Sequence, residues 1–237
     1  DKVVGVIFME PSTRTRLSFV AAVHRLGAKP IIVANPKSSS SAKGESLHDM
    51  ACTIDGYVDA IIIRQPQKGG AQEVADAAEA PVINGGDGSG QHPTQALLDL
   101  YTIQKERGSL ENLRVAMVGD LKYGRTVHSL SYALAPFTPK EYIYCAPDEL
   151  QMPDDILGDM EKKSIPYRQT SDINDALQAD ILYMTRIQRE RFENPEDYER
   201  LKGSYVLNKN MVEKGNSGMT IMHPLPRVDE IARDVDD

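Results

Sequence analysis

The sequence predicts an α/β fold: two domains, each a parallel sheet flanked by helices, with an active site in the interdomain cleft. Three observations carry this. Short β-branched runs recur along the whole 237-residue chain, amphipathic stretches separate them, and the loops that follow several of the runs are rich in hydrogen-bond donors. Runs that are apolar throughout suit strands covered on both faces, as parallel sheets are. Their alternation with helices gives βα units and places helices on both sides of each sheet. In such sheets ligands gather beyond the carboxyl ends of the strands, so two sheets facing one another leave the site in a cleft.

The first strand is the run 3–8, VVGVIF. A helical pattern follows, with Leu17, Val20, Ala21 and His24 on one side and Gly27 as its stop. Strand 31–34 leads into the only low-complexity tract, Ser38 to Ser41, in a loop with no apolar anchor that should be mobile until anions order it. Next come a helix carrying Leu47, Met50, Ala51 and Ile54, stopped by Gly56, and strands at 60–63 and 82–83. The longest helical pattern, 94–107, carries Leu97, Leu98, Tyr101 and Ile103 on its apolar side and ends at Arg107-Gly108. The domain boundary falls there, giving domains 1–107 and 108–237. The second domain has strands at 115–118, 142–145, 181–184 and 220–222, so each half holds about four, with no internal repeat.

Composition narrows the function. A net charge of −8 argues against nucleic acid as a partner, because counterion release needs a basic face. Basic residues clustered in a site would stand against that acidic background and focus a small anion. No window approaches 18 uninterrupted apolar residues and no signal pattern opens the chain, so no membrane partner is expected and a cytoplasmic location is. Cys52 and Cys145 have no metal-site spacing and read as two small buried hydrophobes. The chain opens on Asp1 rather than Met, and 3–8 resembles an internal strand, as in a fragment or a processed chain.

The donors cluster after strands. Residues 9–19, MEPSTRTRLSF, form a strand-loop-helix junction where unpaired N–H groups and the helix dipole favour an anion; Ser12, Thr13 and Thr15 add hydroxyls and Arg14 a bidentate grip. A capped helix with solvated arginines needs only Ser12, which leaves the other donors surplus. Arg64-Gln65-Pro66 follows the third strand. His92 and Gln95, three apart at a helix start, can face one ligand, the dipole favouring a neutral imidazole, although a lone His is more often structural. Residues 119–126, GDLKYGRT, nearly spell a phosphate-binding P-loop, but Arg125 stands where that motif needs Lys and suits a carboxylate instead. Arg186 and Gln188 sit on alternate positions after another strand, with Glu190 four beyond Arg186; a charged surface turn remains an equal reading on these residues alone.

Taken together, Ser12-Thr13-Arg14-Thr15-Arg16, Lys43-Gly44-Glu45, Arg64, His92-Pro93-Thr94-Gln95, Gly124-Arg125-Thr126, Arg186-Ile187-Gln188 and His223-Pro224-Leu225-Pro226 resemble the aspartate/ornithine carbamoyltransferase family, in order and over essentially the whole chain. The first and fourth motifs are common to both branches. Arg-x-Gln and His-Pro-Leu-Pro point to the aspartate branch, since the ornithine branch has Cys after that His and a Ser-Met-Gly loop. The resemblance implies a transferase of pyrimidine biosynthesis that moves the carbamoyl group of carbamoyl phosphate to L-aspartate, giving N-carbamoyl-L-aspartate and phosphate, without metal or organic cofactor.

It also implies roles. Ser12, Thr13, Arg14, Thr15 and Arg64 would bind phosphate; Thr15, Arg64 and His92 would polarise the carbonyl; Gln95 and the carbonyl oxygens of Pro224 and Leu225 would hold the carbamoyl amide. Arg125 and Arg186 would clamp the aspartate carboxylates, assisted by Thr126 and Gln188. Ser39 and Lys43 would enter a neighbouring subunit's site, making a homotrimer the active unit, and Glu10 would pair with Arg64 or Arg191. A regulatory subunit or a larger fusion is a further implied partner. The sequence departs from the family in having Arg64-Gln65-Pro66 where Arg-His-Pro is usual, and family chains carry a helix beyond each end of this one.

Overall fold

The computed structural model describes residues 1–34, 44–187, 189, 192 and 194–236. Ser39, Lys43 and Gln188 lie outside the described residues, as do Glu190 and Arg191 and the serine tract. The chain divides into two compact units, Asp1–Thr94 and Gln95–Asp237.

The first unit is a four-stranded parallel sheet in the order β2-β1-β3-β4, built from β1 (Val3–Phe8), β2 (Lys29–Val33), β3 (Ala60–Gln65) and β4 (Val82–Asp87). Alternation along β1 sends Val6 and Phe8 to one face, where they meet Phe19, Val20 and Val23 of α1 (Arg14–Arg25). Ile7 goes to the other face, against Met50 and Ala51 of α2 (Leu47–Asp55) and Ala71 and Val74 of α3 (Gly70–Ala77). Each large aliphatic side chain buried this way contributes on the order of 2 kcal/mol. The register sets Phe8 beside Arg64, and Met9 N–H donates to the Arg64 carbonyl at 2.7 Å, so the loop after β1 runs alongside the end of β3.

The second unit holds a five-stranded parallel sheet in the order β7-β6-β5-β8-β9, from β5 (Arg114–Val118), β6 (Glu141–Cys145), β7 (Tyr167–Thr170), β8 (Ile181–Met184) and β9 (Thr220–Met222). One face packs Val115, Met117, Tyr142, Tyr144, Ile181 and Tyr183 against α5 (Arg125–Leu134) and α6 (Asp154–Lys162). The opposite face packs Ala116, Val118, Ile143, Cys145, Leu182 and Met184 against Leu177, Tyr205, Leu207 and Ile231. Two short helices, α7 (Pro195–Leu201) and α8 (Lys209–Lys214), complete it. The helix α4 (Pro93–Arg107) buries Ile103 in this second core, so α4 packs with the second unit ahead of the 107/108 boundary read from the sequence.

Several expectations need correction. In α4 the buried positions are Ala96, Asp99 and Ile103, whereas Leu97, Leu98 and Tyr101 are 63%, 57% and 68% exposed. The predicted stripe has helical spacing, but the described core meets the helix on nearly the opposite side from Leu97, Leu98 and Tyr101. In α1 the inward residues are Phe19, Val20 and Val23, leaving Leu17, Ala21 and His24 exposed. Cys145 is buried as expected, while Cys52 is exposed on α2. The strand β7 was not expected at all. No helix among the described residues is long and apolar enough to cross a membrane.

Candidate active site

Both sheets reverse their strand order at one point, between β1 and β3 in the first unit and between β5 and β8 in the second. At such a point the connections leave in opposite directions and a crevice opens beyond the strand ends. The arginines singled out from the sequence lie at these two places.

In the first unit, Arg64 occupies the end of β3 with only 13% of its side chain exposed, and its Nε donates to Glu10 Oε1 at 2.6 Å; Glu10 is 15% exposed. This pair removes the guanidinium's freedom and aims its other nitrogens. Arg64 Nη1 donates to Thr15 Oγ1 at 3.2 Å and lies 3.4 Å from His92 Nε2. His92 is buried, and its Nδ1 is 3.5 Å from Thr94 Oγ1, at the start of α4. Thr15, Arg64 and His92 therefore converge, and an oxygen gaining negative charge among them would meet donors already in place.

Thr13 stands at the N-cap of α1 without a side-chain capping bond, and Ser12 precedes it. The cap that would have explained Ser12 structurally is thus not made by it. Ser12 is half-buried, Thr13 and Arg14 are exposed, and Thr15 lies in the first turn, whose N–H groups carry the positive end of the dipole. Gln65, the departure from the family pattern, is buried, and its Oε1 accepts from Gln67 N–H at 2.9 Å. Its role is to shape the turn after β3.

In the second unit the ends of β5 and β8 are held in close contact. Thr185 Oγ1 donates to the Val118 carbonyl at 3.0 Å and accepts from Asp120 N–H at 3.1 Å. Gly119 makes this approach feasible: its φ is +120°, and a Cβ there would come within 2.4 Å of the Thr185 carbonyl oxygen. Arg125 and Thr126 then begin α5, and Arg186 follows Thr185, all three half-buried. The P-loop resemblance of 119–124 gives way to a short loop in which Asp120 is buried and accepts from Tyr123 N–H at 2.9 Å.

Beyond β9, the segment 223–227 is organised by His223, which opens the motif quoted from the sequence, and by Glu230, which the sequence did not flag. Leu225 N–H donates to His223 Nδ1 at 2.8 Å, so that nitrogen carries no proton and Nε2–H donates to Glu230 Oε1 at 2.7 Å. Burial opposes ionisation of Glu230, yet the bonds from His223 and from backbone N–H groups hold its carboxyl below the usual carboxylate range. Leu225 has φ +61°, and its bond to Pro226 is cis.

Gln95 and Asp99 form a third group, at i and i+4 on α4. Gln95 Nε2 donates to Asp99 Oδ1 at 2.9 Å, and Tyr183 Oη donates to Asp99 Oδ2 at 2.8 Å. Desolvation raises the Asp99 pKa to about 7 against the pull of both donors. Asp99 and Tyr183 were missed from the sequence, where a carboxylate on a helix reads as a solvated face. The spacing of Gln95 and Asp99 was the available signal.

Family models match the two parts of the chain separately: "Aspartate/ornithine carbamoyltransferase, carbamoyl-P binding domain" over residues 1–105, and "Aspartate/ornithine carbamoyltransferase, Asp/Orn binding domain" over residues 111–237. The chain belongs to the aspartate/ornithine carbamoyltransferase family. Among its carbamoyltransferase relatives, the aspartate carbamoyltransferase catalytic subunit of Methanobrevibacter smithii is 51% identical over 99% of this chain and 74% of its own. The solved catalytic subunit of M. jannaschii aspartate transcarbamoylase superposes with a TM-score of 0.86 at 50% identity, covering 100% of this chain and 77% of that one. Aspartate transcarbamoylase from Trypanosoma cruzi, solved in complex with carbamoyl phosphate and aspartate, gives 0.92 at 37% identity, covering 99% and 76%.

Proposed function

We propose that this protein transfers the carbamoyl group of carbamoyl phosphate to L-aspartate, yielding N-carbamoyl-L-aspartate and phosphate, as a cytoplasmic step of pyrimidine biosynthesis. The observation that carries this is the placement of the arginines: Arg64 at the strand-order reversal of the first sheet, Arg125 and Arg186 at that of the second. Relatives in the aspartate branch, one of them solved with both substrates, support the choice of acceptor.

The carbamoyl-phosphate domain is assigned to 1–107 and the aspartate domain to 108–237, a division supported by family models that change over between 105 and 111. Ser12, Thr13, Arg14, Thr15 and Arg64 bind the phosphate. The aspartate amine attacks the carbamoyl carbon, and charge develops on the carbonyl oxygen facing Thr15, Arg64 and His92. The bond to the phosphate oxygen then breaks, and the departing phosphate takes the amine proton. Gln95 and the carbonyls of Pro224 and Leu225 hold the carbamoyl NH2 group. Two carboxylates on the acceptor call for two guanidiniums, Arg125 and Arg186, assisted by Thr126 and Gln188; ornithine would call for an acid. Holding both reactants in attack geometry is worth up to about 7–11 kcal/mol in well-oriented systems. Phosphate is a competent leaving group, so the reaction needs neither metal nor organic cofactor.

Ser39 and Lys43 act in a neighbouring copy's site, which makes a homotrimer the working unit. Relatives named as catalytic subunits support a regulatory partner. The test is product formation from carbamoyl phosphate with L-aspartate, L-ornithine or N-acetyl-L-ornithine. Carbamoyl-aspartate with stoichiometric phosphate, from aspartate alone, is expected. Saturable anion binding without turnover, or preference for ornithine, would overturn the assignment.

A further inference from the structure

We infer that Asp99 is a specificity-determining positioning residue: it fixes which way the Gln95 amide points, and so makes the site select an acyl phosphate bearing an amino group over one bearing a methyl group. This rests on the function proposed above, in which Gln95 meets the carbamoyl NH2.

An ionised carboxylate only accepts hydrogen bonds, so the Gln95 group facing Asp99 at 2.9 Å must be its NH2. The amide oxygen is then turned away from Asp99 and serves as an acceptor for a ligand N–H. Were the amide reversed, its NH2 would face the carbamoyl NH2, donor against donor. Asp99 is itself held. It is 4% exposed, and Tyr183, whose side chain is fully buried in the second core, donates to its other oxygen at 2.8 Å. The Tyr183 proton is thus directed at Asp99. Tyr183 and Gln95 each donate to one oxygen of Asp99, one consistent set of donor directions.

These directions make substitutions at position 99 informative. In Asp99→Asn, which keeps size and shape, the Tyr183 proton requires the new side chain's oxygen, so its NH2 faces Gln95 and reverses the Gln95 amide. Adding Tyr183→Phe removes that requirement, and the oxygen can turn back to Gln95. The test is competition binding of carbamoyl phosphate, acetyl phosphate and inorganic phosphate to the full chain at about pH 8.5, well above the Asp99 value of about 7. Acetyl phosphate has a methyl group where carbamoyl phosphate has NH2.

The preference for carbamoyl over acetyl phosphate is expected to fall about tenfold in Asp99→Asn, the worth of one hydrogen bond. Inorganic phosphate affinity should move less than about twofold, since Asp99 touches no phosphate donor, and Tyr183→Phe alone should keep the preference. The double variant should recover it, although two buried changes cost more stability than one. An unchanged preference in Asp99→Asn, equal losses for all three ligands, or a double variant worse than the single one would overturn the inference. Failure of the wild-type chain to turn over carbamoyl phosphate with aspartate would instead overturn the functional reading, because the binding comparison does not depend on turnover.

Discussion

Arg64 gains its usefulness from what restrains it. A guanidinium that was free to rotate would have to be ordered by each substrate, whereas Glu10 holds Nε at 2.6 Å and leaves Nη1 aimed between Thr15 and His92. Removing one such preorganised donor from a developing oxyanion costs roughly 10²–10³ in rate. Arg64→Ala should therefore lower kcat by that factor in steady-state assays; a loss below tenfold would contradict the role. Arg186 differs in kind, because the acceptor's carboxylate carries its full charge before and during reaction. Arg186→Ala should raise the aspartate KM about a hundredfold and spare kcat at saturation, the expected result of losing a charged hydrogen-bonded pair worth about 2–3 kcal/mol. At this scale the arginines were legible because cationic side chains after apolar runs stand out in an acidic chain. Asp99 was not, since a lone carboxylate on a helix shows its burial only once the packing is known.

The elements that position these residues were legible where they are apolar throughout. The strands β1, β5, β6 and β8 are buried on both faces, and their sequences say so without interruption. By contrast β7, Tyr-Arg-Gln-Thr, lies at the sheet edge with no fully buried residue, so its four residues read as a polar connection. Helix positions were found more readily than helix faces: α1 and α4 carry apolar side chains around more of their circumference than the described cores cover. The ends of β5 and β8 meet in close contact. Gly119→Ala forces a Cβ against the Thr185 carbonyl from a left-handed backbone, with a cost of about 2 kcal/mol or more. The urea midpoint should drop accordingly, and the aspartate KM should rise because Arg125 and Arg186 leave from the two ends so joined. An unchanged midpoint would mean that the contact carries no load.

For the whole molecule, the network around Asp99 couples stability to pH. Its folded pKa is raised to about 7 by burial, against an ordinary 3.8, so between those values the folded chain keeps a proton that the unfolded chain has released. Stability linked to this group must fall as pH rises through that interval, by on the order of a few kcal/mol. Glu230 acts oppositely: its lowered pKa gives stability above about 4.5 that disappears as acid protonates it. Urea midpoints measured from about pH 4 to pH 8 should decline less steeply in Asp99→Asn than in the wild type. Parallel slopes would show that Asp99 stays ionised throughout.

The proposed function assigns the arginine-bearing strand ends of the two units to a single reaction. Calorimetry with a bisubstrate analogue carrying a phosphonate and two carboxylates tests this directly. Affinity at least about 10²-fold above that of phosphate is expected, with Arg64→Ala and Arg186→Ala each removing tenfold or more. Binding no tighter than phosphate, or binding indifferent to either arginine, would contradict it.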